Sequence, residues 1–266
     1  MKSKLAIITY ISLVALLLAG CAGNTTTYQQ TSQYYFKGKQ AYQNGKWIKA
    51  IDNLKLFILN NPGSEYADSA QFYLGESYFN NKEYLMAISE YSQLKNKYSY
   101  SPLVEKGAYK IAKSYVELSP NYHLDQENTR KAIRNCQSFI SNYPNSEYVD
   151  EVEQDIQDMR NKLGHKMYNS GVLYRKMHRW EAAVIYFDNT LNQYYDTKYA
   201  LDAKLDKALC LIKLRKFEDY KELIASIKQE HKDNKEIKNE LASLKQTYKN
   251  EQKNIKDELE KSKGRF

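Results

Sequence analysis

The sequence predicts an all-α protein, a superhelix of about five helical hairpins. First, Pro and Gly are scarce, with 4 and 10 among 266 residues, whereas Lys, Glu, Leu, Ala and Tyr are abundant, a composition typical of helices. Second, small residues recur 37 positions apart, which indicates a repeated structural unit. Third, apolar residues between them follow the periodicity of a helix with one buried face.

The first residues have the order of a secretory signal peptide. Lys2 and Lys4 precede the apolar run 5–18, and the small pair Ala19-Gly20 follows it. This order predicts a signal peptide over residues 1–20. The alternative is a membrane-spanning anchor, which needs about 20 apolar residues. The run is shorter than that, and three polar residues interrupt it.

The segment Leu18-Ala19-Gly20-Cys21 resembles the lipobox of bacterial lipoproteins. The resemblance implies that Cys21 becomes the acylated first residue, and two or more acyl chains hold a protein stably on a membrane. Residues 21–31 lack apolar periodicity and are expected to form a lipidated tether. Because no aspartate follows Cys21, the sorting rule of enteric bacteria favours the outer membrane, with the protein facing the periplasm.

The charge pattern favours solvated helix faces. The formal net charge is +8, and in stretches such as 213–266 the lysines are interspersed with acids. Nucleic acid is not an expected partner for an exported protein. Cys136 and Cys210 each fall within an apolar helical pattern, which favours buried free thiols, although a periplasmic disulfide between them is an alternative.

The 37-residue repeat predicts where the two helices of each hairpin meet. Two helices approach closely only where small side chains face each other, and an aromatic residue can fill the space beside that contact. The small positions of the first helices are Gly38, Gly75, Ala112, Gly171 and Ala208. Twelve residues after four of them come Ala50, Ala87, Ala183 and Tyr220, and nine residues after them come Trp47, Tyr84, Trp180 and Phe217.

Prolines and hydroxyl residues predict the ends of the hairpins. Pro62 and Pro144 stop the preceding helix, because proline cannot continue a helix interior. A hydroxyl residue recurs where each second helix has ended. It is expected to accept a backbone N–H at the start of the next helix, a contact worth ~1 kcal/mol. These residues are Ser64, Ser101, Ser146 and Thr197.

This pattern resembles the tetratricopeptide repeat, a 34-residue helix–turn–helix unit, and the resemblance implies a right-handed superhelix. The third hairpin has an enlarged turn at 119–128, and the fourth begins with an unusually long helix. We expect residues 32–144 to form N-terminal hairpins one to three, and residues 145–230 to form C-terminal hairpins four and five. The charged helical tail 231–266 is either solvated or docked on a partner. The predicted hairpins are 32–62, 64–99, 101–144, 146–195 and 197–230.

The sequence offers no set of residues suited to catalysis. The histidines lack the spacing of a zinc site, and no glycine-rich phosphate loop is present. The acidic residues fall on stripes that favour solvated helix faces. We therefore expect a non-enzymatic protein without a metal or another cofactor. The histidines are His123, His165, His178 and His231.

Three segments resemble the BamD family, the lipoprotein subunit of the outer-membrane β-barrel assembly machine. They are Leu124-Asp-Gln-Glu-Asn-Thr-Arg-Lys-Ala-Ile133, Tyr143-Pro-Asn-Ser-Glu-Tyr148 and Trp180-Glu-Ala-Ala183. The similarity covers nearly all of the mature chain up to about residue 225. The sequence departs from the family at Gly164, where alanine is usual, at Met167, where glutamate is usual, and in its long charged tail.

The resemblance implies a scaffold that binds unfolded outer-membrane proteins and docks on the periplasmic domains of the barrel-forming subunit. We expect hairpins one to three to bind substrate and hairpins four and five to dock. The alternative is another periplasmic repeat lipoprotein that serves as an adaptor for cell-envelope or cell-wall machinery, and such adaptors lack the 125–132 segment. The expected peptide-binding residues, some of which are alternatively core, are Tyr35, Lys39, Tyr42, Phe72, Tyr73, Phe79, Tyr109 and Lys113.

Replacing Cys21 with serine is expected to abolish acylation, because serine offers no thiolate to modify. The product should remain as an unprocessed precursor or be mislocalised. Metabolic labelling with a fatty-acid probe measures this, with the unaltered chain as the positive control. Label that persists on Cys21→Ser would contradict the lipoprotein prediction.

Overall fold

The computed structural model describes residues 24–232 and 234–263, with side chains from residue 32 onwards. The predicted signal peptide and Cys21 lie outside the described residues. The described part consists of helices joined by turns and loops. The helices are α1 (Asn24–Gln43), α2 (Trp47–Asn60), α3 (Ala67–Asn80), α4 (Tyr84–Lys97), α5 (Val104–Glu117), α6 (Glu127–Asn142), α7 (Val149–Lys176), α8 (Trp180–Gln193), α9 (Tyr199–Lys213), α10 (Phe217–Glu230) and α11 (Lys235–Lys263).

These helices confirm the predicted all-α class and follow the order of the predicted hairpins. The enlarged turn of the third hairpin is present between α5 and α6, and α7 is the long helix expected in the fourth. The described residues form two compact units, which divide between Glu117 and Leu118. The first contains α1–α5 and the second contains α6–α11. The boundary therefore falls inside the third predicted hairpin.

The two helices of a hairpin meet at the predicted small residues. A Cβ atom added to Gly75 would lie 2.6 Å from the ring of Tyr91, and one added to Gly171 would lie 2.5 Å from the ring of Phe187. Such distances are far inside van der Waals contact, so a larger residue would force the helices apart. Ala87 and Ala183, on the facing helices, are fully buried.

Each regular hairpin turn contains one residue in the left-handed backbone region. The φ angles are +69° at Gly45, +64° at Lys82, +56° at His178 and +57° at Arg215. Each lies two residues before the aromatic residue that starts the second helix. The N–H of the following residue then donates to a carbonyl oxygen of the first helix, as Lys46 does to Ala41 at 2.9 Å. Helices often end in this way.

The hydroxyl residues bind the backbone just before each helix and not within its first turn. Ser64, Ser101 and Ser146 each accept a backbone N–H two residues further on, at 3.2–3.3 Å. They therefore stabilise the turn that leads into the helix instead of the helix terminus itself. The prediction was wrong for Thr197, whose hydroxyl donates to the carbonyl oxygen of Tyr194 at 2.7 Å.

Both cysteines beyond residue 21 are buried free thiols, as the apolar helical patterns favoured. Burial, and to a lesser extent the charge of Asp206, raises the pKa of the Cys210 thiol to about 12. The reactive thiolate form is therefore scarce at neutral pH. Among the helices of the described ranges, none has an apolar stretch of the length needed to cross a membrane.

A bulky residue at Ala183 is expected to destabilise the fourth hairpin. Ala183 is fully buried on α8, and overpacking such a site costs about 1–3 kcal/mol. Ala183→Leu should therefore lower the melting temperature of the chain from residue 22 onwards. Ala182→Leu is the matched control, because Ala182 lies next to Ala183 on the same helix but is only partly buried. Equal melting curves for the two variants would show that the repeat register is wrong.

Candidate peptide-binding surface of the N-terminal unit

The predicted peptide-binding residues lie on the first helices of the hairpins in unit 1, namely α1, α3 and α5. Contacts between these helices bring several of them together. The rings of Tyr42 and Tyr73 lie 5.2 Å apart, between α1 and α3. Both tyrosines are partly exposed, as are Phe79 and Lys39. The three helices therefore share one surface on which aromatic groups remain accessible.

Lysine side chains lie over the aromatic rings of this surface. The Nζ atom of Lys39 is 5.4 Å from the ring centre of Tyr73, and that of Lys110 is 4.7 Å from the ring centre of Phe79. Such cation–π contacts contribute about 0.5–1 kcal/mol at exposed sites. We call the group formed by Lys39, Tyr42, Tyr73, Phe79, Lys110 and Lys113 the aromatic–lysine surface.

Sequence reasoning missed Lys110 and its neighbour Lys106, whose Nζ lies 5.5 Å from the ring centre of Phe72. A signal for both was present. Lys106, Lys110 and Lys113 are spaced four and three residues apart, which places them on one face of α5. Together with the aromatic residues of α3, that lysine stripe could have predicted contacts between lysines and aromatic rings.

A buried carboxylate lies beneath this surface. Glu76 on α3 is only 6% exposed. Its carboxylate accepts hydrogen bonds from the Tyr91 hydroxyl at 2.5 Å and from the Tyr42 hydroxyl at 3.1 Å. Lys110 pairs with the same group at 3.0 Å. Four helices of unit 1 therefore meet at one charge, and each of the three partners comes from a different neighbouring helix.

The geometry gives Glu76 a positioning role and not a chemical one. A buried charge is tolerated when it is paired and hydrogen-bonded, and three donors supply that here. Burial, followed by the charge of Glu76, raises the pKa of Tyr42 to about 12. Burial also raises the pKa of Tyr91 well above its usual value. Both hydroxyls therefore keep their protons and remain donors at neutral pH.

Three of the predicted contact residues lie in the core instead. Tyr35, Phe72 and Tyr109 are buried, and Tyr35 stacks on Tyr66 with ring centres 4.8 Å apart. Their rings leave little surface for a ligand. These three residues therefore belong to the core, which was the alternative prediction for some of these positions.

Chemically, the aromatic–lysine surface suits an extended peptide. Its rings can cover apolar and aromatic side chains, and a lysine ammonium group can attract a carboxylate. In the part of the chain that the structure describes, no group of three His, Cys, Asp or Glu residues is placed to hold a metal ion.

The enlarged turn in unit 2 is held rigidly. The Gln126 amide donates to the carbonyl oxygens of Asn121 at 2.8 Å and Leu124 at 3.0 Å, and its oxygen accepts from the Thr129 hydroxyl at 2.8 Å. From α7, Lys166 donates to the Leu124 carbonyl oxygen at 2.6 Å. The most specific part of the family resemblance, residues 125–132, thus begins in this ordered turn and continues into α6.

Comparison with known proteins identifies the family. A family model described as YfiO, outer membrane lipoprotein, matches residues 27–215. The outer membrane protein assembly factor BamD of Caulobacter vibrioides is 25% identical over 197 residues, which cover 72% of this chain and 65% of that protein. The chain thus spans slightly less than two thirds of that relative. The protein of the same name from Haemophilus influenzae is also 25% identical, over 70% of this chain and 75% of that protein.

A third relative is the BamD of Vibrio cholerae, which is 23% identical over 72% of this chain and 85% of that protein. Among solved structures, the chain is similar to a Rap protein complexed with competence and sporulation factor. The TM-score is 0.33 and the identity 18%, over 74% of this chain and 52% of that one. A similarity this weak supports no conclusion about function. Because the family model matches well over half of the sequence, the chain belongs to the YfiO family of outer-membrane lipoproteins, and the relatives that it resembles are assembly factors of the BamD type.

Proposed function

We propose that this chain is an outer-membrane protein assembly factor, a non-catalytic, lipid-anchored scaffold facing the periplasm. Its aromatic–lysine surface binds unfolded β-barrel precursors, and its fourth and fifth hairpins dock on the barrel-forming subunit for their insertion. The names of three relatives support the assembly role. The observation that carries the substrate role is the row of accessible rings and lysines along α1, α3 and α5.

The physical basis of substrate capture is the burial of apolar side chains. In an extended strand, alternate side chains point to the same side, so a strand of a barrel precursor presents several of them to one surface. Each buried side chain contributes about 1.5–3 kcal/mol, and two or three suffice for weak, reversible binding. Exposed ion pairs with Lys39 and Lys113 add little, although they help to orient a terminal carboxylate.

Docking is assigned to hairpins four and five. The ordered loop 118–126 of the third hairpin adds to that docking surface, because Lys166 of the fourth hairpin holds it in place. Exposed Leu124 projects from this loop, whose backbone is fixed by the contacts of Gln126 and Lys166. A rigid loop with an exposed apolar side chain is suited to protein contact, because little conformational entropy is lost on binding. The loop leads directly into the 125–132 segment that generic repeat adaptors lack, and that segment favours the assembly role over the adaptor alternative.

Replacing Tyr42, Tyr73 and Phe79 together with alanine is expected to weaken substrate binding. Tyr73 takes the place of buried Phe72 in this test, because Phe72 supports the core. The probe is a fluorescent peptide copied from the C-terminal strand of an outer-membrane barrel, and anisotropy gives its affinity. Loss of even one buried aromatic contact should reduce the affinity by about tenfold or more.

The matched control is the triple variant Leu59→Ala, Leu85→Ala and Met86→Ala, which removes exposed apolar side chains from α2 and α4. It should bind the peptide as the unaltered chain does. Both variants should still bind the purified periplasmic domains of the barrel-forming subunit. If the aromatic variant stays folded and binds the peptide undiminished but loses the barrel-forming subunit, the roles of the two ends are reversed.

A further inference from the structure

A groove of about 720 Å³ opens between α10 and α11 in unit 2. Both helices share one core with α9, to which they contribute Tyr220, Ile224 and Leu241. These side chains also form the floor of the groove, together with Ala225, Ala242 and Tyr248. The rings of Tyr220 and Tyr248 stack with their centres 5.0 Å apart. The floor is therefore apolar and aromatic.

The rim of the groove is positively charged. Of the residues that line it, none in the described ranges carries a carboxylate, and six are lysines: Lys221, Lys228, Lys232, Lys238, Lys245 and Lys249. Lys221 pairs with Glu218 at 2.7 Å. The structure gives the other five no acidic partner among the residues it describes, so their charges are available to a ligand.

The acidic residues of α11 that form ion pairs are engaged away from the groove. Glu251 pairs with Lys213 at 3.6 Å and with Arg215 at 3.5 Å. Glu258 pairs with Arg215 at 3.0 Å. These contacts tie α11 to the end of α9 and the turn after it. In α11, Glu251 and Glu258 therefore pair with residues of their own unit, whereas Lys238, Lys245 and Lys249 line the open groove.

The recessed floor of the groove favours a protein ligand over a membrane surface. Tyr220, Ile224 and Leu241 are 5%, 8% and 9% exposed. A helix that lies on a bilayer presents its apolar face outwards, whereas these side chains are recessed between two helices. A flat surface cannot reach them. The apolar ridge of an amphipathic helix can enter such a groove.

We propose that this groove binds an acidic amphipathic helix of a partner protein. Apolar side chains at helical spacing contact the accessible part of the groove, formed by Ala225, Ala242 and Tyr248 above the buried Ile224 and Leu241. Carboxylates on both flanks of that helix face the lysines of α10 and α11. All residues of the groove follow position 215, where the family match ends, and the site is independent of the aromatic–lysine surface in unit 1.

The test uses the mature chain, residues 21–266, with Cys21→Ser so that no acyl chain contributes. The probe is a fluorescein-labelled helical peptide of about four turns, with leucines along one face and glutamates flanking them. A second peptide has lysine in place of each glutamate. Vesicles of phosphatidylglycerol form the membrane arm. Anisotropy reports binding of the peptides, and sedimentation reports binding to the vesicles.

The test variant is Lys228→Glu with Lys245→Glu, which reverses two charges of the rim. The matched control, Lys253→Glu with Lys256→Glu, makes the same change of net charge at exposed positions of α11 outside the groove. We expect the acidic peptide to bind, the rim variant to weaken it by about tenfold or more, and the control to change it by less than about twofold. The lysine peptide should not bind.

Three results would overturn the proposal. Equal binding of the two peptides would show that charge does not select the ligand. Equal weakening by the rim and control variants would show that net charge acts without the groove. Failure of the acidic peptide to bind would exclude the acidic helix, and vesicle binding in that case would assign the lysines to a membrane surface.

Discussion

The close approach of two helices at a glycine is the contact on which the rest of the structure depends. At Gly75 the missing Cβ lets the ring of Tyr91 lie against the backbone of α3. The same arrangement joins Gly171 to Phe187 in unit 2. In both hairpins the second helix thereby buries a large side chain against the first. Dense packing of that kind stabilises a repeat whose helices could not fold alone.

In unit 1 this packing contact also positions the proposed binding surface. The Tyr91 ring packs on Gly75, and its hydroxyl reaches the adjacent carboxylate of Glu76. Glu76 in turn fixes Tyr42 on α1 and Lys110 on α5. Since a buried ion pair stabilises a fold weakly by itself, its main consequence here is geometric. The rings that we propose to bind substrate are already fixed in position before binding. Little conformational entropy is therefore lost when a weakly bound substrate contacts them.

Much of the fold could be predicted from the sequence, because the 37-residue spacing, the prolines and the helical periodicity are local signals. The exposure of a particular aromatic residue is not local. Tyr35 and Tyr42 lie on the same helix, yet Tyr35 is buried because Tyr66 stacks on it. Glu76 has the appearance of a solvated glutamate, since its partners are distant in sequence. The departure at Gly164 also depends on a distant residue, because a Cβ there would lie 2.8 Å from the Thr197 hydroxyl oxygen.

Equilibrium urea unfolding of Gly75→Ala tests the central packing contact most directly, because two effects predict opposite signs. Helix propensity alone predicts that alanine stabilises α3 by up to about 1 kcal/mol. The contact with Tyr91 predicts overpacking that costs about 1–3 kcal/mol, and so a net loss of stability. In a chain that already carries Tyr91→Ala, adding Gly75→Ala should cause no further loss. A gain in stability of Gly75→Ala in the otherwise unaltered chain would contradict this account of the fold.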